Sequence, residues 1–533
     1  MRTRGIIAAI AACLLLASAP AGAADAGAAK LLKSTADHSK FKELQRDFAS
    51  GPEVTKACLS CHTEAAKQIQ KTEHWTWEYK SPEGQQLGKR NVINNFCTSI
   101  TSNENDCAAC HVGYGWKDDQ AYFSTETNVD CLVCHDTTGK YKKPLGFAGN
   151  VLTKDAEDPL GSGKILRAIN LKEIAQRVGK TSRASCGACH FYGGGGDGVK
   201  HGDLDSSLEA PDKALDVHMD ADGNNFVCDT CHDTQGHQVP GSRYAPTARD
   251  TKGAHLRGEH DARNPTTCQA CHGQAPHKKI AKLNDHTKIV ACQTCHIPRY
   301  ARGGVPTKML WDWSTSGKRG SDGKPLIKKN ADAYEIYNGK KGDFVLAENV
   351  IPEYIWFNGK VKYTLRGDQI DKSVQPVHIN RFEGSPDDGK SLIWPVKVFH
   401  GKQAYDPVNQ TLVVTHLAGE DDTAYWQNLN WTKAVAAGMA SVHAPFSGKV
   451  DFIETDSTWP ITHMVAPAKD ALRCNDCHRA GGRLERVPGI YIPGRVSDHA
   501  GWLETIGWGV ALLTLLGVLG HGLARIVLSQ RKH

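Results

Sequence analysis

Two long apolar runs lie near the two ends of this 533-residue chain. The first, from Gly5 to about Ala17, follows two arginines and precedes the small residues Ala21-Gly22-Ala23. A basic start, a short apolar stretch and a small-residue cleavage site are typical of a secretory signal peptide. We therefore expect residues 1–23 to be removed on export, so that the mature chain begins near Ala24.

The second run, Ile506 to Leu528, is long enough to cross a bilayer and is interrupted only by His521 and Arg525. The basic residues that follow it favour a cytoplasmic C-terminus. We expect residues 498–533 to be a single-pass anchor in the cell inner membrane, with the exported part in the periplasm. A buried core helix is the alternative interpretation.

Between these ends the pattern changes twice. The spacing of apolar residues in Ile165–Val178 predicts an amphipathic helix. Residues 297–462 are richer in aromatic and β-branched runs, and EYIWFNGKVKYTL has a turn signal at Phe357-Asn358-Gly359-Lys360 that predicts a hairpin. We expect this region to be partly β and to pack on the remainder of the exported chain.

Sixteen of the 18 cysteines belong to one repeated motif, Cys-x-x-Cys-His, which is typical of covalent attachment of c-type haem. Disulfides would not need a histidine after each pair, and zinc sites usually combine two such pairs. The eight motifs are Cys58/Cys61/His62, Cys107/Cys110/His111, Cys131/Cys134/His135, Cys186/Cys189/His190, Cys228/Cys231/His232, Cys268/Cys271/His272, Cys292/Cys295/His296 and Cys474/Cys477/His478.

The motif fits the chemistry of haem c. Two thiols one helical turn apart can bind one porphyrin, and the next histidine can ligate its iron as a neutral imidazole. Seven motifs fall in residues 24–296 and the eighth in 463–497, on either side of the motif-free region 297–462. The predicted fold is therefore a mainly α, loop-rich multihaem cytochrome with a core filled by eight haems, a partly β excursion and one C-terminal transmembrane helix.

The formal charge of +6 omits the two propionates of every haem, so the mature holoprotein should be acidic. We therefore expect no nucleic-acid partner.

An electron-carrying haem needs a second axial ligand, and seven further histidines lie close to the motifs. These candidates are His74, His218, His237, His260, His277, His286 and His463, with His201, His255, His400 and His416 as substitutes. Seven candidates for eight haems leave one iron without a second histidine, and a reactive iron needs an open or weakly held position.

Two local features suggest where that haem lies. Four glycines, Gly193 to Gly196, let the backbone approach another group closely, and Lys200 follows them. Cys97, the cysteine left over in the mature chain, stands ten residues before Cys107. An unpaired thiol in an exported protein suggests reactivity, although a small buried residue is the alternative.

Several stretches resemble the octahaem tetrathionate reductase family, and the resemblance extends to about Pro493. They are NNFC…CAACHVGYGW, VDCLVCHDTTG, CGACHFYGGGGDGVKHGDLD, LNDHTKIVACQTCHIPRYA and WPITHMVAPAKDALRCNDCH. The resemblance implies eight c-haems, seven with two histidine ligands and one with a distal lysine, and reductase activity toward tetrathionate, nitrite and hydroxylamine.

Carried over by position, the resemblance implies that Lys200 ligates the reactive haem at Cys107/Cys110/His111 and that Cys97 lines its pocket. Lys142 and Lys143 are the alternative lysines. The membrane helix is a departure from the soluble members.

The expected function is an outward-facing reductase of a small inorganic substrate, supplied with electrons by a membrane b-type cytochrome or another quinol-oxidising subunit. Two alternatives stay open: an electron conduit whose eight irons are all saturated, and an enzyme of the same fold that oxidises hydroxylamine or a sulfur compound.

Overall fold

A computed structural model describes residues 35–160, 162–251, 266–492, 495 and 501–531. The expected signal peptide, His255 and His260 lie outside these described residues.

The region that carries the first seven motifs consists of short helices joined by long loops. Several helices contain only a haem-attachment motif, because the two cysteines need one helical turn and the chain then leaves toward the next motif. The helices before residue 297 are α1 Gly51–Leu59, α2 Ala65–Ile69, α3 Glu73–Thr76, α4 Glu104–Cys107, α5 Gln120–Ser124, α6 Leu132–His135, α7 Leu171–Ala175, α8 Arg183–His190, α9 Cys228–Cys231, α10 Cys268–His272, α11 Lys282–His286 and α12 Cys292–His296.

Short 3-10 turns complete this helical content. They are His38–Lys40, Lys42–Leu44, Ala108–Cys110, Glu126–Asn128, Ser206–Leu208, Trp313–Thr315 and Ala468–Asp470. After residue 297 the helices are α13 Tyr425–Asn428, α14 Trp431–Ser441, α15 Cys474–Cys477, which carries the eighth motif, and α16 Gly501–Gln530.

The long amphipathic helix predicted for Ile165–Val178 is wrong. Residues Ile165–Leu166 form a strand against Ala156–Glu157, and only α7 is helical. The helix begins late because the Asn170 side chain accepts a hydrogen bond from the backbone N–H of Glu173 and so caps it at that point. Leu171 and Ile174 of α7 are buried in a core cluster.

The strands form one large sheet and two small ladders. They are β1 Tyr79–Lys80, β2 Gln86–Leu87, β3 Ala156–Glu157, β4 Ile165–Leu166, β5 Thr307–Asp312, β6 Ile327–Lys329, β7 Glu335–Asn338, β8 Gly342–Ala347, β9 Glu353–Phe357, β10 Val361–Tyr363, β11 Val377–Phe382, β12 Leu392–Asp406, β13 Thr411–Leu412 and β14 Asp451–Pro460. Strands β5 to β14 make up the ten-stranded sheet, in the order β10-β11-β14-β12-β5-β8-β7-β6, with β9 and β13 also paired to β12. The motif-free region is therefore the sheet region, and the fold is mixed helix and sheet.

The long strand β12 joins the sheet to the haem-binding region. Most of its side chains are buried, because it pairs with β14 on one edge and with β5 and β9 on the other. At its start, the Ile393 carbonyl accepts hydrogen bonds from the backbone N–H of Ala291, at 3.0 Å, and from the Thr294 hydroxyl, at 2.8 Å. These bonds hold the seventh motif against the sheet.

The predicted hairpin around Asn358-Gly359 is wrong in its pairing, although the strands and the turn are present. β9 pairs with β12, and β10 pairs with β11. The turn is held by Glu383 instead, whose backbone exchanges hydrogen bonds with Asn358 and Lys360. The turn signal is local, whereas the strand partner is set by burial against the rest of the sheet.

α16 is the helix that the C-terminal apolar run predicted. Among the described residues, one segment, Thr505–Gln530, is long and apolar enough to cross a membrane, by length and composition. Its large apolar side chains are exposed in the structure. Such a helix needs an apolar environment or a partner to cover these side chains.

Candidate haem sites

Seven of the eight motif histidines face a second histidine, and the distance between the two ring centroids is nearly the same in every pair. Two imidazoles that share one metal ion, each at about 2 Å, have ring centroids about 6 Å apart. The observed centroid separations are His38–His62 6.4 Å, His74–His190 6.1 Å, His135–His237 6.4 Å, His218–His272 6.0 Å, His232–His463 6.5 Å, His277–His296 6.1 Å and His286–His478 6.0 Å.

Hydrogen bonds orient several of these rings. When a protein group engages Nδ1, the imidazole presents Nε2 to a metal. The Nδ1 partners are the carbonyls of Gly179 for His135 and of Pro240 for His232, and the side chains of Gln68 for His237, of Asn284 for His277 and of Asp203 for His463. The residues present therefore fit seven irons that each have two histidine ligands.

Six of the seven predicted second histidines form such pairs. His38 faces His62 at the first motif, a histidine that the sequence analysis did not single out. The predicted ligand His260 lies outside the described residues, and the sixth motif's His272 faces His218 without it. The local signal for His38 was weak, because it stands 20 residues before Cys58 and reaches that site only through the fold.

The substitute histidines in the described part of the chain have other partners. His416 lies between the Ser102 carbonyl, at 2.6 Å, and the Asp421 carboxylate, at 2.9 Å. His201 packs its ring edge-on against Trp459 at 5.3 Å. His400 is exposed on β12.

Cysteine thiols of different motifs come together, and these contacts order the sites in space. The thiols in hydrogen-bond contact are Cys58 with Cys131, Cys110 with Cys189, Cys186 with Cys228, and Cys268 with Cys292. Further thiols lie close enough to affect one another's pKa, namely Cys134 with Cys186, Cys231 with Cys268, and Cys295 with Cys477. The motifs therefore follow the order first, third, fourth, fifth, sixth, seventh, eighth, and the second motif branches from the fourth.

Four of the predicted haem-binding cysteines differ from the other twelve in their exposure to solvent. They are Cys61, Cys231, Cys271 and Cys474, whereas the remaining motif thiols are half-buried.

The reason is clearest at the first and sixth motifs. The first thiol of each pair, Cys58 or Cys268, contacts a thiol of a neighbouring motif, while Cys61 and Cys271 lie one helical turn further on and point outward with the histidines that follow them. The Cys61 thiol lies 3.9 Å from the hydroxyl of its exposed neighbour Ser60. Both thiols of each motif remain the predicted attachment points of its haem.

The second motif departs from the other seven. Its histidine, His111, is fully buried among the rings of Trp75, Trp77, Trp116 and Tyr122. His111 Nε2 is 2.6 Å from the Trp75 carbonyl and Nδ1 is 3.3 Å from the Tyr122 hydroxyl.

Both nitrogens of His111 are therefore engaged by protein. Burial lowers the pKa of His111 to about 3, so the ring is neutral, donates from Nε2 to the Trp75 carbonyl and accepts at Nδ1. His111 stays a predicted iron ligand of its Cys-x-x-Cys-His motif, and in the structure its ring is oriented by the Trp75 carbonyl and by the aromatic residues around it.

Of the candidate lysines, Lys143 is already bound. Its ammonium lies 3.1 Å from the Asp130 carboxylate and donates to the carbonyls of His111, at 2.6 Å, and Gly113, at 2.8 Å. Its side chain is only 3 % exposed. Lys142 points to solvent. Neither lysine is placed to ligate a metal.

Lys200 is placed differently. Its Nζ lies 4.5 Å above the Trp459 ring, and no hydrogen-bond acceptor or carboxylate among the described residues holds it. Burial, together with the positive charges of Arg243 and Lys89, lowers the pKa of Lys200 well below its ordinary value, and the Cys110 thiol of the second motif is near enough to oppose that shift. A lysine amine binds a metal only when it is deprotonated, and these surroundings favour that form.

Cys97 lies near the Cys107 thiol of the second motif, and its role in the pocket stays a prediction. It packs against a cluster of buried aromatic residues that includes Phe96 and Trp313. Burial raises the pKa of Cys97, so the thiol is neutral and is not an activated nucleophile.

Comparisons with known proteins agree with this arrangement. The family model described as "Cytochrome c554 and c-prime" matches residues 57–136, and the model described as "Cytochrome c bacterial" matches residues 308–481. An uncharacterized protein of Archaeoglobus fulgidus is 23% identical over 260 residues, which cover 42% of this chain and 86% of the relative.

The crystal structure of an octahaem cytochrome c from Shewanella oneidensis superposes with a TM-score of 0.73 and is 41% identical in sequence. The match covers 85% of this chain and 95% of that one. The chain belongs to the octahaem c-type cytochromes.

Covalently bound c-type haem is thus a property of this octahaem cytochrome, and the fold class predicted from the sequence is confirmed. Redox chemistry or electron transfer is the corresponding function. Among the described residues, the second motif is the one whose histidine faces no second histidine.

Proposed function

We propose that this octahaem cytochrome is a periplasm-facing reductase that carries eight haems and reduces a small inorganic substrate, tetrathionate, nitrite or hydroxylamine, at the second motif. When bound, each haem supplies an iron that accepts and releases one electron. The observation that carries the proposal is that the buried Lys200 amine lies over the Trp459 ring and near the Cys110 thiol, with no hydrogen-bond acceptor or carboxylate on it among the described residues.

The ligands differ between the sites, and so do the roles that we expect of the irons. Seven sites have two histidines each, which saturate an iron and suit it to electron transfer, whereas the second site has one amine and no facing histidine among the described residues. In this proposal His111 and Lys200 hold the iron at the second site, and the neutral Lys200 amine is the ligand that a substrate displaces. A site with an open position can take up a substrate.

The order of the motifs supports a route for electrons to that site. The eighth motif lies at one end of the row and is the motif nearest in sequence to α16. The fourth motif lies within the row and contacts the second motif through Cys189 and Cys110. Electrons that enter near the membrane anchor would reach the fourth site and leave the row at the second.

Positive charge around Lys200 favours anionic substrates. Arg243 lies 5.5 Å from the Trp459 ring that also supports Lys200, and Lys89 lies 5.1 Å above the Trp77 ring. Neither has a carboxylate within ion-pair distance in the described part of the chain. An anion such as nitrite or tetrathionate would be attracted to this side of the site.

The electron donor we propose is a quinol-oxidising membrane subunit, such as a b-type cytochrome, in the cell inner membrane. In this arrangement α16 spans the membrane once, with the C-terminus cytoplasmic. His521 and Arg525 are four residues apart and share one helix face, and polar groups at that depth usually face a protein or a cofactor. Glycines such as Gly517 and Gly520 leave room for a close helix neighbour.

The proposal is tested by electron paramagnetic resonance and magnetic circular dichroism of the purified holoprotein. The wild-type spectrum should contain seven irons with two histidine ligands and one different iron. Lys200→Leu should change only that one signal and slow the reduction of nitrite or hydroxylamine, while Lys142→Leu, at an exposed lysine, serves as the control.

Eight irons with two histidine ligands would overturn the proposal in favour of an electron conduit. A signal that survives Lys200→Leu but disappears in Lys143→Leu would overturn the assignment of the lysine.

A further inference from the structure

Lys397 is a lysine with no exposed surface in the middle of β12. Its Nζ donates to the carbonyls of Val199, at 2.8 Å, and Lys200, at 3.1 Å, and to the Thr307 hydroxyl, at 2.5 Å. Burial lowers the pKa of Lys397, and the nearby charge of Asp203 opposes this only in part. Three hydrogen bonds compensate for the burial of this amine, two of them to the backbone at Val199 and Lys200 and the third to Thr307 of β5.

The residue directly opposite Lys397 contacts the other end of Lys200. In the antiparallel ladder of β12 and β14, the partner of Lys397 is Trp459. Opposed residues in such a ladder place their side chains on the same face of the sheet. One cross-strand pair therefore holds Lys200 twice, because Lys397 binds its backbone carbonyl and the Trp459 ring lies 4.5 Å from its Nζ.

Residues of the sheet hold the loop that carries Lys200 in place. Gly194, Gly195 and Gly198 adopt φ of +83°, +89° and +64°. Glycine occupies this region without steric cost and can equally adopt other conformations, so the loop does not fix its own shape. The Thr307 hydroxyl that accepts from Lys397 also donates to the Gly198 carbonyl, at 2.6 Å. The sheet thus fixes the end of the glycine loop just before Lys200.

We propose that Lys397 is a positioning residue that, with Trp459 and Thr307, fixes the direction of the Lys200 side chain at the second motif. This inference rests on the proposed role of Lys200 as a ligand. The amine is otherwise carried on a flexible four-carbon chain behind a glycine loop, and a displacement of about 1 Å at a reacting centre can lower a rate by about 100-fold.

The test is Lys397→Met, which keeps the length of the side chain and removes the donor. In the purified holoprotein the resonance signal of the one distinct iron should become heterogeneous or shift, the seven others should stay unchanged, and nitrite reduction should slow by about 10- to 100-fold. The matched control is Lys402→Met on the same strand, which faces Glu454 and should leave both readouts unchanged.

A milder second variant covers the case in which Lys397→Met does not fold. Thr307→Val removes the shared hydroxyl and should shift the same signal, whereas Thr307→Ser keeps the hydroxyl and should restore it. A folded Lys397→Met or Thr307→Val protein with an unchanged signal and rate would overturn the inference. A wild-type signal that does not depend on Lys200 would instead overturn the proposed function, so the two failures are distinguishable.

Discussion

The Nε2 atom of His111 lies 2.6 Å from the carbonyl oxygen of Trp75, inside a ring of aromatic side chains. At seven other motifs the corresponding histidine faces a second imidazole across about 6 Å, the separation expected for a shared metal. One hydrogen bond therefore distinguishes the second motif from the others, although its sequence has the same Cys-x-x-Cys-His pattern.

His111 is the predicted motif ligand of the second iron, so replacing it should change the distinct iron signal of the holoprotein. His111→Gln keeps a donor for the Trp75 carbonyl and removes the imidazole, so the variant separates the hydrogen bond from the ligand role. The control is His190→Gln, at a motif histidine that faces His74, and it should remove one signal of an iron with two histidine ligands. A distinct signal that persists in His111→Gln would mean that His111 does not ligate the iron in the holoprotein.

The buried ion pair of Lys143 and Asp130 should be a structural support of the second motif. The Asp130 carboxylate also accepts hydrogen bonds from the hydroxyls of Tyr114 and Tyr141, both at 2.7 Å. Asp130→Asn leaves the Lys143 ammonium buried without its counter-charge, so the free energy of unfolding should fall by about 3–5 kcal/mol.

This loss is measured by chemical unfolding followed by circular dichroism. Lys140→Met breaks the exposed pair of Lys140 and Glu173, which have side-chain exposures of 60% and 27%, and should cost no more than about 1 kcal/mol. Equal losses in the two variants would show that the Lys143 pair contributes no more than a surface pair.

Intact-mass measurement of the purified mature protein should show eight covalently bound haems. Each motif supplies two thiols and each thioether is stable to denaturation, so the mass counts the groups directly. The single change Cys58→Ser should lower the occupancy of the first site only. A wild-type mass that corresponds to fewer than seven haems would contradict the assignment of the motifs.

Deleting Ile506–His533 should release a soluble cytochrome, because α16 exposes its apolar side chains along its length. The truncated protein should still turn over substrate with artificial electron donors and should no longer accept electrons from quinol. Gentle solubilisation of membranes and purification through a tag on the full chain should recover a b-haem subunit. Reduction by quinol that persists after the deletion would contradict the proposed partner.

A second comparison tests the helix face itself. His521→Leu combined with Arg525→Leu keeps the apolar length of α16 and should weaken recovery of the partner while the chain stays in the membrane. Thr514→Leu, elsewhere on the helix, is the matched change and should have no effect. Equal recovery from both variants would mean that the polar pair does not contact the partner.

The sequence by itself determined the chemistry that depends on local spacing. Two cysteines one helical turn apart and the histidine after them identify a haem-attachment motif wherever the chain places it, and the apolar run near the C-terminus predicts α16 from composition alone. The motif-free texture of residues 297–462 also indicated the sheet region, because aromatic and β-branched runs bounded by turn residues favour strands locally.

The tertiary structure decided everything that depends on which distant residues meet. His38 faces His62 and His74 faces His190 only because loops bring separated segments together, and β9 and β10 pair with other strands although their turn is present. The sequence did not indicate the direction of the His111 ring, for the same reason. Its sequence pattern matches that of seven other histidines, and the carbonyl of Trp75 that engages it lies 36 residues away. Ring orientation follows from packing and hydrogen bonds across the fold, which a local motif does not contain.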